Sequence, residues 1–335
     1  MIVLGIESSC DDTSVSVLKD GHILSVAVNT QLEHIQFGGV IPEIASRAHL
    51  KNFPEVLEKA LSDSGLILND VDAIGVTYGP GLVGPLLVGV NFAKGLAYSL
   101  KVPVVPVNHI EGHIFANFID HPEIEYPFIV LVVSGGHTEI VFVPESEKYE
   151  LCGKTRDDAA GECIDKVSKM LGLGFPGGRI MDEYAKSGNK DFEFFPRGMK
   201  NSHDFSFSGL KTSLKYYIDK HDKEFIKSNL NNIAASFMDS VTDSLADKLI
   251  RAAKKHNCRT VLLAGGVSAN SMLREKITAQ SVKKGLKFFY PQPKYCTDNA
   301  AMIAMSAFKK IQKYGIEKFS FDSELDAVPF LPLSE

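Results

Sequence analysis

The chain lacks the cysteine pattern of a disulfide-bonded protein. Its 335 residues include five cysteines, an odd number, which are scattered and never spaced as Cys-x-x-Cys. This usage argues against a disulfide framework and favours a reducing compartment. The N-terminal segment has neither the basic stretch nor the cleavage site of a secretory signal, so the sequence predicts a cytoplasmic protein.

A long uninterrupted apolar run is also missing. A membrane-spanning helix needs about 20 predominantly apolar residues. The most apolar stretch, residues 75–100, is interrupted by Pro80, Pro85, Asn91 and Lys94. We therefore expect no membrane span.

The chain also lacks an excess of basic residues. The chain has 36 basic and 41 acidic residues, which gives a net charge of −5, and this is not the footprint of a nucleic-acid-binding domain. Two small basic groups, around Lys254-Lys255 and Lys283-Lys284, are typical of solvated helix faces. The composition therefore gives no indication of nucleic-acid binding.

What the chain does have is a duplicated order of predicted elements, and its 44% apolar residues suffice for a large core. Each half is predicted to begin with three strands, the first two joined by a polar loop. A strand, a helix, another strand and a second helix follow. In the first half the predicted strands are 2–6, 14–18, 22–28, 71–77 and 102–107, and the second helix begins near His109. In the second half they are 128–133, 139–143, 149–153, 259–264 and 286–290, and the second helix begins near Thr297.

This duplication predicts an α/β protein with two lobes, the actin-like or Hsp70-like ATPase architecture. We place the N-terminal lobe at residues 1–118, with a helix at about 297–313 returning to it. The C-terminal lobe is placed at residues 119–296, with a mainly helical insertion at about 154–235. Proteins of this architecture grip phosphates between two polar hairpin loops, one from each lobe.

Two glycine-rich turns follow predicted buried strands, at residues 134–138 and 265–270. Glycine permits a positive φ and close approach of the backbone, whose N–H groups can then bind phosphate or sugar. The second turn leads into a helix N-terminus, which favours anions. Either turn alone could serve packing only; the matched pair favours a nucleotide site.

His109 and His113 are four residues apart and share one face of a helix, a spacing that suits a transition metal. The pattern resembles the zinc-protease motif, but Glu111 is one position too late to be its general base, and Gly112 weakens the helix. Alone, this spacing is common by chance.

The duplication supplies a third candidate ligand. Asp298 stands at the place in the second half that corresponds to the two histidines, so we expect it to approach them from the opposite lobe. Two imidazoles and a carboxylate with open positions suit Fe(II) or Zn(II). Cys296 is an alternative ligand.

Three further segments carry polar groups, each with a structural and a functional interpretation. Asp165 lies on an acidic, small-residue helix and either binds ribose hydroxyls or faces solvent. A turn at residues 176–179 precedes Asp182. Residues 204–211 combine aromatic, polar and basic side chains and read equally as a core edge or as the lip of a substrate site.

Seven motifs together resemble one family, the tRNA N6-adenosine threonylcarbamoyltransferases, once described as O-sialoglycoprotein endopeptidases. The resemblance extends from about Ile2 to Ala304. The motifs occupy residues 5–11, 79–82, 109–113, 134–138, 205–211, 264–270 and 296–299.

The resemblance implies transfer of the threonylcarbamoyl group of threonylcarbamoyl-AMP to N6 of adenosine 37 in tRNAs that read ANN codons, with release of AMP. It implies that His109, His113 and Asp298 bind the metal. It also implies a set of contacts to the nucleotide and the intermediate: Val132, Val133, Ser134, Gly135, Gly136, Asp165, Gly178, Asp182 and Asn270. Its implied partners are a catalytically silent paralogue, which forms a heterodimer, and a small P-loop ATPase.

Two assignments remain open at this point. Asp11 is the first candidate for the base that takes the N6 proton, and His137 is the second.

Two other functions are weighed against this one. A metalloprotease would leave both glycine turns unexplained, and a non-enzymatic Hsp70-like switch would need a peptide-binding domain that we do not expect here. Because the chain is acidic and phosphate contacts dominate RNA affinity, we expect a tRNA surface shared with partner proteins.

Overall fold

The computed structural model describes residues 1–333, apart from the side chains of Ile35 and Gln36. Within that range the chain forms two compact units. Unit 1 comprises residues 1–122 and 293–333, and unit 2 comprises residues 123–292. The last segment of the chain therefore returns to the unit formed by the first.

Ten strands and eleven helices are numbered in chain order. The strands are β1 Ile2–Glu7, β2 Asp12–Lys19, β3 His22–Thr30, β4 Ala73–Gly79, β5 Val104–Asn108, β6 Phe128–Val133, β7 Thr138–Val143, β8 Glu150–Lys154, β9 Thr260–Ala264 and β10 Lys287–Phe289. The helices are α1 Pro42–Ser64, α2 Val83–Leu100, α3 His109–Phe115, α4 Asn117–Asp120, α5 Ala160–Met170, α6 Gly177–Lys186, α7 Ser208–Asp219, α8 Lys223–Ser228, α9 Leu230–Lys255, α10 Ser271–Lys284 and α11 Ala300–Tyr314.

Unit 1 is built on a five-stranded sheet in the order β3-β2-β1-β4-β5. The first three strands are antiparallel, and β4 and β5 run parallel to β1. The hairpin between β2 and β3 turns at Asp20 and Gly21, both with positive φ, as a tight two-residue hairpin turn requires. Helix α11 packs on β1, β2 and β4, and α1 and α2 pack on the sheet and on each other.

Unit 2 repeats that strand order, with β8-β7-β6-β9-β10 in place of β3-β2-β1-β4-β5. Strands β6, β7 and β8 are antiparallel, and β9 and β10 run parallel to β6. Its central strand β6 is fully buried. Every strand predicted from the sequence is confirmed within about two residues at each end, and the equal order in both sheets confirms the duplication.

Helix α2 is long and apolar enough to cross a membrane by length and composition alone. A third of that segment is buried, and its buried residues include Leu86, Val90 and Ala93. The helix packs against β4 and α1 within unit 1, as a core helix does. The sequence had suggested no such segment, because Pro85, Asn91 and Lys94 interrupt the run.

Candidate functional site

The two histidines are placed by the first turn of α3, directly after β5. Asn108 caps this helix: its Oδ1 accepts hydrogen bonds from the N–H groups of Ile110 (2.8 Å) and Glu111 (3.3 Å). The helix therefore begins at His109, and both imidazoles are buried on one face. Their ring centroids are 4.7 Å apart in an edge-to-face arrangement.

Asp298 is placed by the start of α11, which Asn299 caps by accepting a hydrogen bond from the N–H of Met302 at 3.2 Å. The helix can lie this close to β1 and α3 because two glycines face it. A Cβ on Gly5 would lie 2.3 Å from the carbonyl oxygen of Ala300, and a Cβ on Gly112 would lie 2.8 Å from Cδ1 of Ile303. Gly112, which weakens α3, is thus explained by packing.

The three side chains fit a metal ion. Asp298 Oδ1 lies 3.1 Å from His113 Nε2 and 3.6 Å from His109 Nε2, and the ligand atoms all lie within 4.8 Å of one another. Bonds of about 2.1 Å at tetrahedral or octahedral angles would place ligand atoms roughly 3.0–3.4 Å apart, a spacing that the two Asp298 distances approach. Both ring nitrogens of His113 are buried and form no hydrogen bond with the described residues, and a metal ion beside Asp298 would satisfy Nε2. Cys296 is buried and is not part of this group.

One expectation about this group is wrong. The duplication suggested that Asp298 would come from the lobe opposite the histidines. Asp298 lies in unit 1 with both of them, because the chain has already returned to that unit at Pro293. The three candidate ligands come together as expected, but one folded unit provides all of them.

Glu7, at the end of β1, orients His109 and was missed as a functional residue. Its Oε2 accepts a hydrogen bond from Thr77 Oγ1 at 2.6 Å and lies 3.3 Å from His109 Nδ1. Its Oε1 accepts from the N–H of Ser9, and Ser9 Oγ lies 3.0 Å from the same imidazole nitrogen. Metal-binding histidines usually place the second ring nitrogen against such a group. The available signal was a carboxylate ending a buried strand.

The electrostatics around these residues favour a cation. Burial alone would lower the pKa of His109, but the carboxylates of Asp298 and Glu7 outweigh it and raise the pKa to about 9. Burial acts to raise the pKa of Glu7, and the facing imidazole holds it below its usual value. For Asp12, burial and the charges of Asp298, Asp11 and Glu7 raise the pKa to about 7, against a hydrogen bond from Thr30. Four carboxylates are thus concentrated here in unit 1.

Glu111, which lies between the two histidines but one position too late for the base of a zinc protease, has a structural role. Its carboxylate is buried and forms a 2.8 Å ion pair with Lys310 of α11. Lys310 Nζ also donates to the carbonyl oxygen of Pro106. Glu111 therefore ties α3 to α11, and the metalloprotease alternative loses its general base.

Asp11 and His137 lie in different units. Asp11 is half-buried just before β2, in the loop that follows Glu7, and its charge acts on Cys10 and Asp12. His137 is half-buried in the loop between β6 and β7, where its N–H donates to Ser134 Oγ at 3.2 Å.

The loop Ser134–Thr138 follows the buried end of β6, where Val132 and Val133 have no exposed surface. It is closed by a 2.8 Å hydrogen bond from the N–H of Ser134 to the carbonyl oxygen of His137. A Cβ on Gly135 or Gly136 would meet nothing within 4 Å. Neither packing nor a positive φ requires glycine here, so open backbone is what these two residues provide.

The second glycine turn serves packing instead. Gly265 has φ +85°, and a Cβ on it would lie 2.5 Å from the carbonyl oxygen of Val133. It therefore lets the ends of the adjacent strands β6 and β9 approach each other. The positive φ expected of such turns is found here and not at Gly135 or Gly136.

Asp165 of α5 orders the start of α6. Its Oδ1 accepts a hydrogen bond from the N–H of Gly177 at 2.6 Å. Burial raises the pKa of Asp165, against the backbone hydrogen bonds of Gly177 and Gly178. Gly178 faces open space, whereas a Cβ on Gly177 would lie 2.4 Å from that of Ser168. Of the two glycines, Gly178 is free to face a ligand.

Asp182 and Asn270 are hydrogen-bonded to each other. Asp182 Oδ1 accepts from Asn270 Nδ2 at 2.7 Å and from Ser271 Oγ at 2.9 Å. Asn270 Oδ1 caps α10 by accepting from the N–H of Leu273 at 2.9 Å. The amide assigned to the nucleotide thus also joins α6 to α10.

The solved structures most informative for the fold have an actin-like architecture. Full-length HypF, in its phosphate- and nucleotide-bound form, matches 94% of this chain and 47% of its own, with TM-score 0.63 and 13% identity. Component A of the Acidaminococcus fermentans (R)-2-hydroxyglutaryl-CoA dehydratase matches 93% and 99%, with TM-score 0.56 and 16% identity. The protein is therefore an actin-like α/β protein that carries a His-His-Asp group suited to a metal.

The family follows from sequence similarity. The profile of the tRNA N6-adenosine threonylcarbamoyltransferases matches residues 22–305. A tRNA N6-adenosine threonylcarbamoyltransferase of Thermosipho africanus is 51% identical over 99% of this chain and 100% of its own length, and one of Fusobacterium nucleatum is 48% identical over 100% and 99%. The chain belongs to this family of transferases, and it is an enzyme of tRNA modification.

Proposed function

We propose that the enzyme transfers the threonylcarbamoyl group of threonylcarbamoyl-AMP to N6 of adenosine 37 in tRNAs that read ANN codons, releasing AMP. The match to curated relatives over almost their whole length carries this proposal. Every candidate site residue falls within the matched length. Mass spectrometry of tRNA incubated with the protein and threonylcarbamoyl-AMP is the direct test, and tRNA that stays unmodified with the complete set of partner proteins present would contradict it.

For the metal we favour Fe(II), with Zn(II) as the second candidate. Two imidazoles and one carboxylate leave coordination positions open, which suits both ions. When bound, the ion would supply Lewis acidity toward a carbonyl or phosphate oxygen. The chain's part is to hold the ligands: Glu7 and Ser9 fix the His109 ring, and the caps Asn108 and Asn299 fix α3 and α11.

We assign the nucleotide to unit 2. The open backbone at Gly135 and Gly136 can donate N–H groups to a phosphate. Gly178 opens α6, the side chain of Asp165 orders that helix start, and the Asp182–Asn270 pair stands one turn further along α6. These residues share the edge of the sheet where β6 and β9 end, the usual place for ligands in such folds.

The chemical step is acyl transfer to a weak nucleophile. N6 forms a bond to the carbonyl carbon of the mixed anhydride, the bond from that carbon to the phosphate oxygen breaks, and AMP leaves. N6 must lose a proton, and Asp11 is our first candidate to accept it, with His137 second. Positioning both reactants supplies several kcal/mol of the barrier, and a single-stranded anticodon loop lets the base unstack.

The base assignment has its own test. Asp11→Ala is expected to slow transfer by about 10²–10⁴ while metal content and AMP affinity remain. His137→Ala, measured in parallel, decides between the two candidates. If Asp11→Ala abolishes AMP binding without a separate effect on turnover, Asp11 is not the base.

An exposed apolar face on α1 and α2 supports a protein partner, and we propose that this partner is the catalytically silent paralogue. Leu50 is 71% exposed and Val83 53%. Leu50 and Leu87 line a groove of about 500 Å³ together with Phe53, Pro54, Val88, Asn91 and Phe92. Such patches mark protein interfaces. Leu50→Glu should abolish the heterodimer in size-exclusion chromatography and leave AMP binding intact; a surviving heterodimer would place the interface elsewhere.

The partnership with a small P-loop ATPase is proposed from the family resemblance. The cytoplasmic location is proposed from the cysteine usage. Burial raises the pKa of the Cys163 thiol to about 12 and that of Cys258 to about 11. None of the five cysteines forms a disulfide bond, which agrees with a reducing compartment. Co-purification from cells with the ATPase tests that partnership, and its absence under crosslinking would oppose it.

A further inference from the structure

A basic surface lies along β8, the edge strand of the unit 2 sheet. We call it the β8 surface and define it by Lys154, Arg156, His203, Arg251 and Lys255. Part of it is a hollow of about 430 Å³, lined mainly by β8 and by residues 201–204. The sequence had suggested that Lys254-Lys255 was an ordinary solvated helix end. The fold instead brings that helix end beside β8.

The clustering of positive charge shows in the environment of His203. Burial lowers the pKa of this imidazole, and the charges of Lys255, Arg251, His256 and Lys248 lower it further. Four basic groups therefore lie close enough to this side chain to act on it, although Lys248 is itself buried. Like charges so close together repel one another, and an anion bound among them would relieve the repulsion.

The nearby carboxylates leave part of this charge uncompensated. Asp204 accepts hydrogen bonds from Arg156, and Asp247 lies 3.0 Å from Arg251. Lys154 and Lys255 are exposed, and neither forms an ion pair with a carboxylate among the described residues. The charge of Lys154 does act on Glu139, where it opposes the rise that burial causes in that pKa.

The β8 surface continues from the loop assigned to phosphate binding. Lys154 pairs with Glu139 in the β7–β8 register, and Glu139 directly follows Thr138, the last residue of the loop. The N–H of Thr155 donates to the carbonyl oxygen of Thr138 at 2.9 Å. Paired antiparallel residues are about 5 Å apart between Cα atoms, so the basic surface begins within one residue pair of the loop.

We propose that the β8 surface binds the phosphate backbone of the tRNA substrate. Backbone phosphates dominate RNA affinity and are bound mainly by lysine and arginine. In a chain with a net charge of −5, that affinity requires a local concentration of positive charge, and this surface provides one beside the loop. The inference rests on tRNA being the substrate, and the surface is this chain's share of an interface to which partners also contribute.

The test compares two double variants with the same loss of charge. Lys154→Gln/Lys255→Gln removes the two exposed lysines of the β8 surface. Lys283→Gln/Lys284→Gln is the control, because those lysines end α10 as Lys255 ends α9 and are equally exposed. Binding of unmodified tRNA to the full chain is measured from low to moderate salt, together with the affinities for inorganic phosphate and AMP and the KM and kcat of transfer.

We expect the β8 variant to bind tRNA about tenfold more weakly near 0.1 M salt, and its log–log salt dependence to become shallower by roughly 1.4–1.8. The control should change less than twofold. AMP affinity and kcat should stay unchanged, while KM for tRNA rises.

Three results would overturn the proposal: no tRNA binding by the wild type at low salt, equal weakening in both double variants, or loss of inorganic phosphate binding with tRNA binding intact, which marks a small-anion site. If tRNA binding falls as expected but even the wild type transfers nothing, the proposed reaction fails and the surface assignment stands.

Discussion

The two sheets have the same strand order but use the ends of their strands differently. In unit 1, helix α11 fills the space near the end of β1, where Gly5 and Gly112 are glycines because a helix lies against them. In unit 2, Gly135, Gly136 and Gly178 face open space. One copy of the plan holds a largely buried group of three candidate metal ligands, and the other presents an exposed run of backbone. Topology thus decides where a site forms, and packing decides what kind of ligand it suits.

The largest expected effect concerns the ligand group of unit 1. His109→Ala, His113→Ala and Asp298→Ala should each lower metal content and abolish transfer together, and double variants should add little, because residues that act as a unit are not additive. Elemental analysis of purified protein gives the answer. His22→Ala, at an exposed histidine of β3, is the control and should keep its metal.

Asp298→Ala is the decisive variant of the three. Full metal content in it, with loss only in the histidine variants, would leave α3 as a two-ligand site. The close packing of α11 at Gly5 would then have to be explained by stability alone.

Glu7→Gln should have the next largest effect. The amide keeps the size of the side chain but removes the charge that faces His109 Nδ1, so metal affinity is expected to fall by about 10–100-fold. Metal-chelator competition measures it. Thr77→Val removes only the hydrogen bond to Glu7 Oε2 and should cost less. An unchanged affinity in Glu7→Gln would make this carboxylate a purely structural group.

The sequence predicted the elements better than it predicted the use of each residue. The positions of the strands, the duplication and the three candidate ligands follow from periodicity and from position in the chain. The role of Glu7 and the ion pair of Glu111 with Lys310 depend on contacts between segments about 70–200 residues apart, and no local pattern encodes those. Asp298 was expected from the opposite lobe because the duplication equates its segment with that of the histidines, although the helix at about 297–313 was itself expected to return to the N-terminal lobe.

Two substitutions to alanine in unit 2 should separate ligand binding from stability. Gly136→Ala adds a methyl group where nothing lies within 4 Å, so the melting temperature should hold while AMP affinity falls about tenfold; the affinity change follows from steric conflict with a ligand near the backbone. Calorimetry and thermal unfolding measure the two quantities.

The matched control is Gly161→Ala, whose Cβ would lie 2.6 Å from the carbonyl oxygen of Ser134. It should lower the melting temperature, because a backbone must shift. Equal AMP affinity in Gly136→Ala and wild type would show that the open backbone is not the nucleotide site.

The smallest expected effect is on the stability of metal-free protein and comes from Asp12. Burial and the charges of Asp298, Asp11 and Glu7 raise the pKa of Asp12 to about 7. The pKa of Asp12 is therefore higher in the folded state than in the unfolded state, where it is about 4. The contribution of this group to stability is fully present below pH 4, and it is lost as the pH rises through about 7, because the folded state must then hold an ionised Asp12. Metal-free wild type should therefore melt at a lower temperature at pH 8 than at pH 5.

Asp12→Asn removes the charge and should raise the melting temperature at pH 8, by roughly 2–4 °C for each kcal/mol recovered. With metal bound, the same substitution should give a smaller gain, since the ion already offsets the crowded carboxylates. A gain of equal size in both states would show that the metal lies too far from Asp12 to act on it. No gain in either state would show that the hydrogen bond from Thr30 outweighs the repulsion.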